Sequence, residues 1–305
     1  MKPIKYFILS VAAMALAACS SDDVTDDGPV AAQVTAGIRS IQTRASGIEW
    51  DANDKIGITA KGGKTDYANV EYTISDKSTG SFTSVNPIYF QDLAEVTFTA
   101  YYPYNAKGGT LSLSTAAYYT SKKAQSRIDF MFASGAKADR TNPNVQFVDK
   151  SGNGGTDARF RHCMSRIVLK FVQGDDTDLR DMTAFKIKPL KFNGTFNTAT
   201  GEAKATGDSA SELGINGISP YFSDTYEASF ILFPQTVADD KLNLELTLKE
   251  QTYKATLSIP SEGTGLASGM SYVYTIKVNK TAINVSNAEI APWTDGGSFD
   301  GTAEM

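Results

Sequence analysis

This 305-residue chain predicts an all-β protein built as two β-sandwich domains in tandem, on three observations. Apolar and polar residues alternate with period two in segment after segment, and no stretch of helical length shows a 3.6-residue period. The glycine-rich run SGNGGTDA at 151–158 leaves about seven candidate strands on either side, enough for one sandwich each. Short strands separated by Gly, Asn, Asp or Pro read as antiparallel sandwich, because parallel α/β sheets need helical crossovers.

In chain order, the first element is a leader. Lys2 and Lys5 give a positive n-region, and Ile4 to Leu16 has only Lys5, Tyr6 and Ser10 as polar interruptions, a run secretory in length and too short for the ~20 apolar residues of a membrane span. Ala17 and Ala18 then lead into Cys19, and Leu-Ala-Ala-Cys resembles the bacterial lipobox, whose cysteine becomes the lipid-bearing N-terminus. A plain secretory cut near Ala18, with Cys19 incidental, is the competing reading. Ser21, Asp22 and Asp23 resemble the acidic signal that directs Bacteroidetes lipoproteins to the outer face of the outer membrane. The tether SSDDVTDDGP has nothing to bury. A chain processed at Cys19 keeps one thiol, Cys163, so no internal disulfide is available and stability must come from packed core.

Next comes a strand ahead of the first domain proper. Val30, Ala32, Val34, Ala36 and Ile38 alternate with their neighbours, and burying Val30, Val34 and Ile38 would contribute roughly 5 to 9 kcal/mol as an upper bound. Arg39 and Arg44 follow as competing cut sites, and Arg44 is succeeded by small Ala45, Ser46 and Gly47, an accessible bond for a trypsin-like protease. Cutting between Arg44 and Ala45 would release strand and lipid together and leave an apolar groove beside an unpaired sheet edge, a template for another chain.

The remaining strands follow by alternation: Ile56 and Ile58; Val70, Tyr72 and Ile74; Val96, Phe98, Ala100 and Tyr102; Ile167, Leu169 and Phe171. Leu242, Leu244, Leu246 and Leu248 share one face, and Tyr253, Ala255, Leu257 and Ile259 answer them across a turn at Glu250 and Gln251. Tyr272, Tyr274, Ile276 and Val278 repeat the rhythm, and a short helix fits within 112–127. Residues 281–290, with Ile283 and Val285 alternating, are either a strand to donate or the last strand of the second domain. The predicted organisation is leader 1–18, tether and removable strand 19–44, first sandwich 45–157 and second sandwich 158–305.

Chemistry is sparse. A net charge of −5 argues against a nucleic-acid partner. His162 is the only histidine, and in an extended segment it and Cys163 would point to opposite faces, so a nucleophilic dyad is not expected. No G-x-S-x-G elbow supplies a serine nucleophile. The acidic runs GDDTDLRD (174–181) and WDANDKIG (50–57) lack EF-hand spacing and read as solvated turns. No catalytic residue, metal or cofactor is expected. A glycan platform on tyrosines such as those of YYPY (101–104) is the alternative from a different class, with a hydrolase behind it.

Several stretches in order, the lipobox at Cys19, Thr-Arg-Ala at 43–45, IEWDANDKIGI (48–58), FTAYYPY (98–104), DFMFA (129–133), FRHCMSRIVLKF (160–171), LFPQT (232–236) and GMSYVYTIKVNKTAINVSNAEIAPW (269–293), resemble the fimbrillins of Bacteroidales, subunits of type V pili. The resemblance spans essentially the whole chain. It implies two transthyretin-like Greek-key sandwiches, export as an outer-membrane lipoprotein on Cys19, cleavage after Arg44 by a surface protease, and polymerisation with other fimbrillin subunits by strand donation, in adhesion and biofilm formation. Shaft, accessory or tip, and uncleaved anchor positions all stay open, since the tail after Trp293 is polar.

Overall fold

The computed structural model describes residues 28–39, 50–119, 122–151, 154–207, 211–216, 225–260, 265–280, 282–286 and 288–293. Cys19, Arg44, Ala45, the leader, the acidic tether as far as Asp27 and the tail after Trp293 lie outside the described residues. The chain is all-β: its helical elements are a four-residue α-turn, Lys122–Gln125, and short 3₁₀ turns, two of which, Thr115–Tyr118 and Ser126–Ile128, flank it.

An eight-stranded sheet organises the first half. Its order is Asn144–Phe147, Gln33–Ala36, Ser81–Thr83, Tyr67–Asp76, Lys55–Lys61, Val96–Tyr102, Met131–Ala138 and Arg161–His162. Alternation puts Ile56, Ile58, Ala60, Tyr72, Phe98 and Ala100 into one core together with Trp50, Phe82, Phe147 and Phe160. The glycine-rich run does not end this sheet, since Phe160 belongs to the first core and Arg161–His162 pairs back onto Met131–Ala138.

Two sheets face each other in the second half. One runs Thr225–Leu232, Ser165–Gln173, Met270–Val278 and Ile283–Val285, with Glu289–Pro292 on the same side of Met270–Val278; the other runs Ser211–Asn216, Met182–Leu190, Lys241–Leu248 and Gln251–Ser258. Leu242, Leu244 and Leu246 are fully buried against Ile167, Leu169, Phe171 and Tyr274 of the opposite sheet. The hairpin turn falls on Lys249 and Glu250, one residue earlier than the sequence suggested, with Lys249 in the left-handed region at φ 51°. Residues 283–285 and 289–292 are strands of this half.

Two pairings depart from the antiparallel expectation. Gln33–Ala36 runs parallel to Asn144–Phe147, and Ser165–Gln173 runs parallel to Met270–Val278. In each case the connection passes through other strands of the same half, so no helical crossover is needed.

A further, three-stranded sheet joins the halves: Ala203–Ala205, Asn193–Asn197 and, from the first half, Thr110–Ser114. Beneath it Phe130 stacks on Phe196 with centroids 4.4 Å apart, in a cluster that also takes Tyr101, Phe132, Phe233 and Trp293.

Candidate functional site

The Gln33–Ala36 strand is second from the edge of the first sheet and is held on both sides. Residues 33–36 pair with 144–147, while Val34 and Thr35 face Phe82 and Ser81. Flanking bonds extend the grip: Ala32 N–H donates to Ile88 O (2.8 Å), Gln33 to Pro143 (2.9 Å), Gly37 to Phe147 (2.9 Å) and Arg39 to Phe160 (2.7 Å). Upstream, Val30–Ala31 leaves this sheet to pair with Tyr89–Phe90.

The alternation read from the sequence holds, but the weight of burial shifts. Val34 is 3% exposed, and small Ala32 and Ala36 are buried with it, whereas Val30 and Ile38 are only half-buried. Val30 has already turned onto a separate two-stranded sheet, and Ile38, past Gly37, makes a single bridge to Phe160 at the rim of the core. With both ends half-wet, the hydrophobic contribution falls below the sum for three buried β-branched side chains.

Behind the strand stands Trp50. Its indole Nε1–H donates to Ala36 O (2.7 Å), and its ring meets Phe82, Phe160 and Tyr102 edge-on at 5.1, 5.3 and 5.6 Å. In front, Ala36 N–H donates to Gly80 O (2.9 Å), and a Cβ on Gly80, at φ +67°, would sit 2.5 Å from Ala36 O. Only glycine lets the two backbones approach so closely there. Trp50 and Gly80 were not singled out from the sequence, and Ala32 and Ala36 were read only as members of the alternating row; the glycine inside DKSTGSF was the available signal.

Beyond the strand, Arg39 lies 3.6 Å from Asp157, which Arg159 also clasps at 2.9 and 3.0 Å. That guanidinium contact, with Arg39 adding a smaller share, holds the Asp157 carboxyl below the usual carboxylate range.

The other sequence candidates resolve differently. His162 Nδ1 lies 2.7 Å from Asp129 Oδ1, and its ring stacks on Trp293 at 4.2 Å, with the Arg166 guanidinium 5.0 Å from the same indole. The Cys163 thiol, adjacent in sequence, is buried and pushed up to about 12 by that burial, which makes it a poor nucleophile. In the acidic run, Asp178 is clasped by Arg180, and Asp176 accepts from Lys280 N–H. Among the described residues no group of three or more His, Cys, Asp or Glu side chains could hold a metal ion.

A strand donated by the chain's own N-terminal end, flanked by two neighbours and followed by an arginine, sits on a fold that known proteins share. The profile of the fimbrillin-like family matches residues 43–293. This chain belongs to the fimbrillin-like family. A Bacteroides uniformis protein provisionally named fimbrium subunit Fim1C is 30% identical to this fimbrillin over 96% of the chain and 97% of its own length. Crystal structures of two proteins provisionally named for cell adhesion are also similar to the fimbrillin. The one from Bacteroides ovatus has a TM-score of 0.71 at 27% identity, over 87% of this chain and 98% of that one. The other, from Bacteroides uniformis, has 0.66 at 25% identity, over 88% and 100%. The fimbrillin-like family is not an enzyme family.

Proposed function

We infer that the fimbrillin is a fimbrial subunit of the cell surface that is exported as an outer-membrane lipoprotein on Cys19, cut between Arg44 and Ala45 by a surface protease of trypsin-like specificity, and polymerised when a strand of another subunit replaces residues 30–39. Adhesion, and through it biofilm formation, is the role of the resulting fibre. One observation carries the reading: residues 33–36 occupy an interior slot of the first sheet, with Asn144–Phe147 on one side and Ser81–Thr83 on the other. Taking them out strips hydrogen-bond partners from both neighbours and uncovers Phe82, Phe147, Phe160 and Trp50 at once, so an incoming extended chain recovers both terms.

The choice of Arg44 over Arg39 has physical support. Arg39 donates its N–H to Phe160 O and its side chain faces Asp157, whereas a protease needs an extended segment free of the sheet. Sequencing the N-terminus of subunits from sheared surface fibres tests the reading: chains beginning at Ala45 support it, and fibres whose subunits retain residues 28–39 overturn it. Arg44→Ala is expected to leave the chain folded and monomeric at the membrane, while Arg39→Ala assembles normally.

A further inference from the structure

Beside the junction of the halves lies a second concave feature that strand exchange does not use: a cleft of about 1010 Å³ between the end of the first sheet, at residues 51–54 and 102–107, and residues 110–113, 118, 126, 127 and 130. We propose that this cleft binds a neutral oligosaccharide.

Four aromatic residues line it: Phe130, which is buried, and Tyr102, Tyr104 and Tyr118, all half-buried. Tyr102 is committed to the fold, since its hydroxyl donates to Asp54 Oδ1 (3.0 Å) and its ring meets Trp50. The rings of Tyr104 and Tyr118 pack against the cluster between the halves, but neither hydroxyl bonds to another described residue. A half-buried phenol with a wet hydroxyl offers an apolar face to the C–H side of a pyranose and a donor and acceptor to its hydroxyls.

Charge decides the ligand class. Asp51 and Asp54 line the cleft together with Lys107 and Arg127, two negative groups and two positive. Asp51 is exposed and only distantly paired, 3.9 Å from Lys77, and the Arg127 guanidinium pairs with no described carboxylate. A balanced set of charged hydrogen-bonding groups around ring faces suits many neutral hydroxyls; an anionic glycan would meet as much repulsion as attraction. The volume stands at the upper end of the ~300–1,000 Å³ of small-molecule sites, room for several sugar rings rather than one.

The wall carrying Tyr104 is also pre-shaped. Tyr104 N–H donates to Lys55 O (2.9 Å), Asn69 Nδ2 reaches Asn105 O (3.0 Å) and Ala106 O (3.3 Å), and the Tyr101 hydroxyl joins Asn105 O at 2.9 Å. Little ordering entropy is left for binding to remove there.

The test uses the full chain on a glycan array, followed by calorimetry with maltopentaose, xylopentaose, mannopentaose and lacto-N-tetraose, and with 3′-sialyllactose and a heparin tetrasaccharide as acidic controls. At least one neutral probe is expected to bind, about tenfold more weakly to Tyr104→Ala and several-fold more weakly to Asp51→Asn, with both variants keeping cooperative unfolding like the parent's. Binding of acidic probes alone, no binding of any neutral probe, or neutral binding unchanged by Tyr104→Ala overturns the proposal. So does a synthetic peptide of residues 281–293 that binds the parent but not Tyr104→Ala, which would assign the cleft to a polypeptide strand. Because no cleavage is involved, failure here leaves the strand-exchange reading untouched, and the reverse also holds.

Discussion

Both halves of the fimbrillin pair their opening strand in parallel with a late strand, yet the two opening strands differ in almost every physical respect. Ser165–Gln173 has nine residues, eight of them in register with Met270–Val278, and Ile167, Leu169 and Phe171 are fully buried in the centre of a two-sheet core. Gln33–Ala36 has four residues, next to the edge strand, with one large side chain fully in the core and alanines on either side. On the strand-exchange proposal, the same pairing serves as a keystone in one half and as a replaceable plug in the other, according to length, apolar volume and distance from the edge. A short strand of small residues is held mainly by backbone hydrogen bonds, which any extended chain can supply; a long strand of large residues is held by a specific packing that few sequences reproduce.

Substitutions in the two strands break or sharpen this contrast. The largest effect is expected from Leu169→Asp, which places an unpaired carboxylate in a fully buried site. A cost above about 5 kcal/mol, comparable with the whole stability of a domain, should abolish the cooperative second-half transition in calorimetry. Val34→Asp offends the other strand in the same way, but the expected outcome is local: about 3 to 5 kcal/mol lost from the first half, faster proteolysis of the N-terminal segment, and an unchanged second-half transition. If Val34→Asp unfolds both halves together, the plug is a keystone after all.

Gly80→Ala follows, at about 2 to 3 kcal/mol, because it forces an L side chain into the left-handed region and against Ala36 O; hydrogen exchange should quicken at residues 33–36 before the rest of the sheet. Trp50→Phe removes the donor to Ala36 O and should cost about 1 to 3 kcal/mol. The same contact offers an optical readout, since releasing residues 28–39 exposes the Trp50 indole and shifts its emission to the red, while Trp293 stays stacked on His162. Smallest is Asp157→Asn, within about 1 kcal/mol at neutral pH. A carboxyl whose folded pKa is depressed stabilises above its unfolded pKa of about 3.9 and loses that contribution as pH falls through the folded value, so parent and variant should converge in melting temperature only in acid.

Much of this was legible in the sequence for a simple reason: alternation reports burial. Leu242, Leu244, Leu246 and Leu248 and the row from Val30 to Ile38 could be assigned faces directly, because a half-buried strand writes its orientation with period two. Partnership is another matter. Parity says which side chains point inward and nothing about which strand lies beside them, so the two parallel pairings stayed hidden. Ala32 and Ala36 were underrated because small side chains carry little transfer energy, although their size is what lets the backbone lie close to Gly80 and Trp50. The Trp50 bond to a carbonyl fourteen residues earlier left no local pattern to read. The cleft was half-visible: YYPY announced aromatics, but Tyr101 goes into the core between the halves and Tyr104 to the cleft wall, a division that only the turn after residue 102 decides.

The strand Thr110–Ser114 leaves its own half to lie against Asn193–Asn197, with five residue pairs in register. In the fibre proposed above, tension that enters one half of a subunit and leaves through the other loads the joint between them. Here it crosses a hydrogen-bonded seam instead of a loose hinge, and several bonds of that seam have to rupture together before the halves separate. Resistance to drag is then set by the rate of that concerted rupture, a property of the joint and independent of how tightly neighbouring subunits hold each other.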